Sequence, residues 1–600
     1  MIIQKLKLMS KTDIAAAVLM GLVFIYLIFV SFCDGTISDE AFYITIPVRL
    51  INGDGLFTDE WHLSQLSAVL TYIPVKLFIM ITGGTKGIIL YMRLLFTLMQ
   101  TLAGAVLYKT LRKYGFTAII ASITFMLFSV IALNTLSYNT MGVALLTLLI
   151  CTAYSVTEKP SLIKMFLAGS LIAMFILCQP VGLVFYGAYF AAVCVFFVLN
   201  KSKNKEIPYP FTLKPFIATI AGILPVLFFF LYLLLKNSDI ATIIKCIPGI
   251  LSDVEHMVIA ENLGIKTFSI IQFFSDMTMA AGLIPLILLA VCIISGFFIK
   301  KINRNIALII TSAGTAVFAV ILLYRLLFTG NTTETDDINF LLFPLAAAGI
   351  SFYALSEKKN KKILILFWCT GVAYAVFMTI SSNLGLHASV NGYLIAALAS
   401  VIFAGDVLKE FRAAETKDKL HKITCTAVIS FTVISSFVSI GIITGTFLAL
   451  NDYNYIRITE GIYAGTSLPS DQALAYTNLR KDAEKIKEFI SPEDKVFVSE
   501  NIPSVYLEGN LNMGAFSGWF IQEQLMYPEI RNRFREYYEL FPENIPGYVY
   551  VPAYTYDKFG LKKNPPRMSA EFPLSLFEGT TEEIGSGILI RVTGIRDEQT

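Results

Sequence analysis

The chain has 600 residues, of which 56% are hydrophobic and only 15% charged, with a formal net charge of +3. A soluble chain of this length would form about four domains and would carry roughly 25% charged residues. So little polar material cannot cover a water-facing surface, and so small a net charge gives nucleic acid no purchase. A soluble multidomain protein, a disordered chain and a nucleic-acid binder are thereby excluded.

The charge is unevenly distributed. Residues 452–600 hold 37 of the 91 charged residues, with 15 basic and 22 acidic. Residues 1–451 hold 32 basic and 22 acidic residues across three times the length. The sequence therefore reads as a membrane domain, 1–451, followed by a soluble acidic domain, 452–600. All eight cysteines lie in the first part, and no Cys-x-x-Cys spacing occurs, which leaves no zinc or redox signature.

In chain order, the N-terminal run 14–32 is too long for the apolar core of a signal peptide and is followed by no small-residue cleavage site. It reads as an uncleaved first span. Further apolar runs lie near 66–82, 87–108, 116–135, 140–156, 161–178, 181–199, 214–235, 281–299, 305–328, 338–355, 363–380, 390–408 and 423–449. Lys and Arg concentrate in 109–115, 157–164, 200–213, 300–304, 356–362 and 409–422, while 136–139, 179–180, 329–336 and 381–389 contain neither. Positive charge favours the cytoplasmic side. The asymmetry is consistent only if 66–82, which contains Pro74 and Lys76, lies along the interface and does not cross. The expected architecture is a mainly α, polytopic membrane protein with about 13 transmembrane helices. Two interfacial helices, Asp39–Leu50 and 62–82, lie in its first outer loop, and a small α/β domain ends the chain outside the cytoplasm. In that domain, strands are expected at 495–498, 548–551 and 588–592, and helices at 475–490, 521–527 and 531–540.

Charged groups at the edge of a bilayer are costly and mark sites. Asp39 and Glu40 open the first interfacial helix, with Ser38 placed to cap it. His62, Glu255 and His256 fall in the outer loops as candidate substrate contacts, without a spacing that calls for a metal. Arg93 and Arg325 stand at headgroup depth on the same side, with Lys76 as a third cation. A guanidinium fork there suits a lipid-borne phosphate.

The order and sidedness of these features resemble the GT-C class of integral membrane glycosyltransferases, which includes the protein O-mannosyltransferases and the aminoarabinose transferases. The residues that carry the likeness are Asp39-Glu40-Ala41-Phe42-Tyr43 with the helix ending Arg49-Leu50-Ile51-Asn52-Gly53, the stretch Leu70-Thr71-Tyr72-Ile73-Pro74-Val75-Lys76, Arg93-Leu94, and Leu177-Cys178-Gln179-Pro180. The chain departs from the family at Gln179, where a cation is usual, and in Leu136-Ser137-Tyr138-Asn139-Thr140, where many relatives carry an acid. The resemblance implies transfer of a sugar from a polyprenyl-phosphate donor to an acceptor hydroxyl on a lipid, glycan or protein, by a single inverting displacement. Asp39 would be the base, Glu40 its orienting partner, and Arg93, Arg325 and Lys76 the phosphate-binding cations. No cofactor is expected, and a divalent metal is compatible without being called for. The expected location is a bacterial plasma membrane, multi-pass, with the bilayer itself as a partner. The competing expectation is a non-catalytic or transport-type multi-span protein of cell-envelope polysaccharide assembly.

Overall fold

The computed structural model describes residues 10–33, 37–128, 133–203, 207–251, 303–328, 342–381, 389–413, 454–520, 528–557, 560–563 and 571–596, with isolated positions near 290–301 and 419–434. The protein is mainly helical. Its first part contains α1 (Lys11–Cys33), α2 (Ile37–Asn52), α3 (Ala68–Thr82), α4 (Ile88–Leu111), α5 (Phe116–Leu127), α6 (Tyr138–Glu158) and α7 (Leu162–Cys178). These are followed by α8 (Gly182–Lys203), α9 (Leu213–Lys236), α10 (Ile240–Leu251), α11 (Arg304–Phe328), α12 (Phe343–Leu355), α13 (Thr370–Ser381) and α14 (Val390–Ala413). Eight helices among the described residues are long and apolar enough to cross a membrane, and four shorter apolar helices accompany them. The segment 62–82, expected to lie flat, is one of the eight by length and composition. This is a multi-span membrane protein.

The helix ends show why these elements stop where they do. Gly53 takes φ +119°, a left-handed value that a side chain would resist, and its N–H and that of Asp54 close on the Arg49 carbonyl. That terminates α2. Helix α2 begins at Ile37, so Ser38 lies inside the first turn and not at the cap. Ser137 caps α6 through a reciprocal box with Thr140, satisfying N–H groups that a helix start leaves open.

Inside the helical part, glycine sets the closest crossings. A Cβ on Gly169 would lie 1.9 Å from the Thr219 carbonyl oxygen, and one on Gly222 would lie 1.9 Å from that of Phe166. Helices α7 and α9 thus meet backbone to backbone, and Ser170 donates to the Gly222 carbonyl at 2.8 Å. Gly371 and Gly392 do the same for α13 and α14. Small residues give this proximity where no hydrophobic gradient drives helices together.

The C-terminal part is a mixed α/β region. It contains β1 (Tyr455–Arg457), β2 (Ser467–Pro469), α15 (Ser470–Phe489), β3 (Lys495–Val498), α16 (Ser504–Gly509), β4 (Asn512–Met513), α17 (Pro528–Leu540), β5 (Tyr548–Val551), β6 (Tyr554–Asp557), β7 (Gly560–Lys563), α18 (Glu571–Leu576), β8 (Phe577–Ile584) and β9 (Gly587–Ile595). The main sheet has the order β4-β3-β5-β9-β8. Strand β3 runs parallel to β4 and β5, while β9 is antiparallel to β5 and β8. The expected strands at 495–498 and 548–551 coincide with β3 and β5, and the one at 588–592 lies within β9. The helix expected at 475–490 begins five residues earlier, at Ser470. The one at 531–540 begins at Pro528, and the one at 521–527 lies outside the described residues.

Candidate functional site

Helix α2 carries the two adjacent carboxylates in its first turn, and they have different surroundings. Glu40 is 1% exposed and Arg93, from α4, is 0% exposed. Arg93 Nε donates to Glu40 Oε1 at 2.8 Å and Nη2 to Oε2 at 2.6 Å. The third nitrogen, Nη1, donates to the Ser31 carbonyl at 3.2 Å. Ser31 Oγ in turn lies 3.0 Å from Thr97 Oγ1 on α4. A single guanidinium therefore ties the end of α1, the start of α2 and the first turns of α4 together. Taking both charges out of water offsets much of their attraction, but removing one partner strands the other at a cost of about 3–5 kcal/mol. Arg93 thus spends its fork on Glu40 and Ser31, and contact with a phosphate would require that pair to part.

Asp39, one residue earlier, is half-buried. Helical spacing puts residues three and four ahead on its face, and these are Phe42 and Tyr43. The Phe42 ring meets His62 at 4.9 Å and Trp519 of the C-terminal region at 5.0 Å. The Tyr43 ring meets Tyr138 at 5.8 Å. The turn of α2 that follows Asp39 thus meets His62 and Trp519 through Phe42, and Tyr138, the first residue of α6, through Tyr43.

At the start of α6 and the end of α7, the two positions where the sequence departs from the expected resemblance touch each other. Gln179 Nε2 donates to Asn139 Oδ1 at 3.1 Å. Both residues are buried, so a neutral amide pair stands where the resemblance led charge to be expected. Gly142 lies beneath the Gln179 side chain, where a Cβ would come within 2.9 Å.

His62 caps a short turn. Its Nδ1 accepts from the Ser64 N–H at 3.1 Å and lies 2.7 Å from Ser64 Oγ. An accepting Nδ1 assigns the ring proton to Nε2. Lys76 is exposed on α3 with Nζ 5.5 Å from the centre of the Tyr72 ring. Arg325 lies within α11, but its side chain, like Glu255 and His256, falls outside the described residues.

One constellation went unseen in the sequence. Arg49, near the end of α2, donates through Nε to Asp54 at 2.6 Å and through Nη1 to Glu60 at 2.8 Å. Its Nη2 donates to the Asp59 carbonyl at 2.7 Å and to the Ala515 carbonyl at 3.2 Å. Burial works against the Arg49 charge, yet Asp54 and Glu60 beside it hold its proton more firmly than water would. Burial pushes the Glu60 carboxyl up, against the opposing pull of Arg49 and His62. Next to this hub, Trp61 donates its backbone N–H to the Phe516 carbonyl at 2.7 Å and stacks on the Phe516 ring at 5.4 Å. Arg533 lies over the Phe516 ring at 4.6 Å and donates to the Gly249 carbonyl at 2.8 Å. Asn544 donates to Asp59 Oδ1 at 2.9 Å. A second attachment caps α4: the N–H groups of Gly87 and Ile89 donate to the carbonyls of Gly461 and Ile462 at 3.0 and 3.2 Å. The C-terminal region is thus fastened both to the loop that follows α2 and to the helix that carries Arg93. The pairing Arg49-x4-Asp54 inside an apolar stretch was the available sequence signal. The partners from residue 515 onward had none.

No family model and no curated relative matches the chain. Among the solved structures similar to it are two that match across most of its length. The oligosaccharyltransferase of Archaeoglobus fulgidus, solved with Zn and sulfate, is 13% identical with a TM-score of 0.44, over 89% of this chain and 67% of that one. ArnT of Cupriavidus metallidurans, solved in the apo state, is 12% identical with a TM-score of 0.47, over 96% of this chain and 98% of that one.

Proposed function

We propose that this chain is a membrane glycosyltransferase that takes a sugar from a polyprenyl-phosphate donor and passes it to an acceptor hydroxyl. The observation that carries the reading is the differing setting of neighbouring carboxylates: Glu40 is paired with Arg93, while the half-buried Asp39 precedes by one turn the rings of Phe42 and Tyr43, which meet His62, Trp519 and Tyr138.

In this account Asp39 is the base. A sugar acceptor hydroxyl is a weak nucleophile at neutral pH, and a carboxylate within hydrogen-bond reach takes its proton as attack proceeds. The acceptor oxygen bonds to the anomeric carbon, the bond from that carbon to the phosphate oxygen breaks, and the electron pair leaves on the phosphate. The proton ends on Asp39, and the anomeric centre is inverted. Glu40 and Arg93 act as positioning residues that fix the first turn of α2, and hence the place of Asp39. Lys76 and Arg325 remain the cations proposed to meet the departing phosphate, whose developing charge needs a positive partner. Glu255 and His256 stay in the proposal as substrate contacts, as does His62 through its Nε2–H. The thirteen crossings, the boundary near residue 451, the bacterial plasma membrane and a C-terminal domain outside the cytoplasm belong to the same proposal.

The test is a transfer assay of the full-length chain in lipid nanodiscs against a panel of polyprenyl-phosphate sugars, with a mixed cell-envelope glycan and lipid fraction as acceptor. Transfer from at least one donor with inverted anomeric configuration is expected. No transfer from any of them, or retention of configuration, would overturn the reading.

A further inference from the structure

Helix α10 (Ile240–Leu251) takes no part in the chemistry above. Its sequence, Ile-Ala-Thr-Ile-Ile-Lys-Cys-Ile-Pro-Gly-Ile-Leu, is apolar almost throughout, and Lys245 is its single charge. One face is accounted for. Cys246, Gly249 and Ile250 are buried, and a Cβ on Gly249 would lie 2.4 Å from the Trp61 ring. The Gly249 carbonyl accepts from Arg533 Nε at 2.8 Å. The seam between the first loop and the C-terminal region therefore stands on this face.

The other face is bare. Ile240, Ile244, Ile247 and Leu251 recur at helical spacing and are 42–61% exposed. Such a row of aliphatic side chains in water costs about 25 cal/mol for each Å² left uncovered, and exposed apolar patches mark surfaces that bind. The place of the helix says what covers it. Helix α9 has 24 residues, about 36 Å at 1.5 Å each, enough to cross a hydrocarbon core of about 30 Å. Only Asn237, Ser238 and Asp239 separate it from α10, a reach of about 10 Å. Asp239 caps α10, accepting from the Thr242 N–H at 3.0 Å and from its hydroxyl at 2.6 Å, as N-cap carboxylates do. The turn itself is held to the first loop: Asn237 Nδ2 donates to the Asp54 carbonyl at 3.1 Å, and Ser238 Oγ lies 2.8 Å from Thr58 Oγ1. Near its end α9 buries Leu233 with Phe42, Leu50 and Tyr72, so α10 starts at the level of α2 and α3. Outward, α9 exposes Phe228, Tyr232 and Leu235, an apolar stripe that reaches its last turn and resumes at Ile240.

We infer that α10 lies flat on the phospholipid bilayer, with Ile240, Ile244, Ile247 and Leu251 sunk among the lipid chains and the seam resting on its other face. Interfacial helices bury an apolar face by about 5–10 Å while cations beside it stay at the headgroups. Lys236 and Lys245, both exposed, supply those cations for the lipid phosphates. The bilayer is then a third support of the seam, beside the Arg49 hub and the attachment at Gly461 and Ile462. Such docking depends on the chain spanning the membrane and not on the transfer reaction.

The test reads what touches the stripe. A genetically encoded diazirine side chain replaces Ile244 or Ile247 in the full chain, held in phosphatidylcholine nanodiscs. Illumination expels nitrogen, and the carbene left behind inserts into whatever lies against it. Phe228 on α9 and the exposed Glu539 on α17 are replaced in the same way as lipid and water controls. Both test positions are exposed, so either variant should melt as the unaltered chain does. By mass spectrometry, a gain of one phosphatidylcholine is expected at 244 and 247, as at 228, against a gain of one water at 539. Water addition at either test position to the level seen at 539, or crosslinking to protein in place of lipid, would overturn the docking of α10 on the bilayer.

Discussion

The crossings among the membrane helices and the seam between the first loop and the C-terminal region are built from opposite materials. Helices α7 and α9 meet through Gly169 and Gly222 with no charge between them. The seam is built around Arg49, which is 5% exposed and engages Asp54, Glu60 and the Ala515 carbonyl at once. The difference follows from the two solvents. In lipid, apolar side chains gain nothing by leaving their surroundings, so close backbone approach supplies the attraction. At a water-facing seam, two polar loops must surrender hydration, and buried charge is tolerable only where every nitrogen finds an oxygen. Helix α2 belongs to both regimes: Arg93 fixes its start to the membrane helices, and Arg49 fixes its end to the C-terminal region.

That contrast can be broken at defined points. The largest effect is expected for Arg93→Leu, which leaves Glu40 buried without its cation. A loss of about 3–5 kcal/mol should appear as a lower melting temperature in detergent, with Glu40→Gln in the same chain recovering part of it. A recovery of zero would mean that the pair contributes no coupling. Arg49→Met should cost a similar amount but act elsewhere: limited proteolysis should then release the C-terminal region while the helical part stays intact. If both regions are cleaved together, the seam is not where the two halves separate. At the crossing, Gly222→Val drives a side chain into the Phe166 carbonyl. Overpacking costs about 1–3 kcal/mol, or more here because backbone yields poorly, while Gly222→Ala should be milder and visible in the same melt. The smallest effect is expected for Lys86→Ala, which removes the exposed pair with Glu460 at 2.8 Å. Solvent screens such a pair, so no measurable change in melting temperature is expected, and a clear drop would show the seam to be more electrostatic than its buried hub.

Much of this was legible in the chain because it is local. A run of 18 or more apolar residues announces a helix, and Lys495-Val496-Phe497-Val498 and Tyr548-Val549-Tyr550-Val551 announce strands buried on both faces. Strand β8 did not announce itself. Phe-Glu-Gly-Thr-Thr-Glu-Glu-Ile is exposed along its middle, and its strand character comes from pairing with β9, not from its own pattern. The start of the site was legible in the same way, since Asp39 and Glu40 stand out against apolar neighbours. Their surroundings were not legible: Glu40 belongs to Arg93, 53 residues away, and Phe42, one turn on from Asp39, lies against a ring at position 519. Contacts at such separations leave no periodicity to read. Nor did anything in the sequence around Asn139 and Gln179 signal that these two residues would meet.

The account makes Asp39 the chemical group and Glu40 a structural one, and a single comparison separates them. Initial transfer rates with the best polyprenyl-phosphate donor are measured for the unaltered chain, Asp39→Asn and Glu40→Gln, alongside their melting temperatures. Asp39→Asn should lose at least about 100-fold in rate, the scale of a missing general base, and melt as the unaltered chain does. Glu40→Gln should melt lower and lose activity in step with its fold. Retained transfer by Asp39→Asn in a folded protein would contradict the account directly.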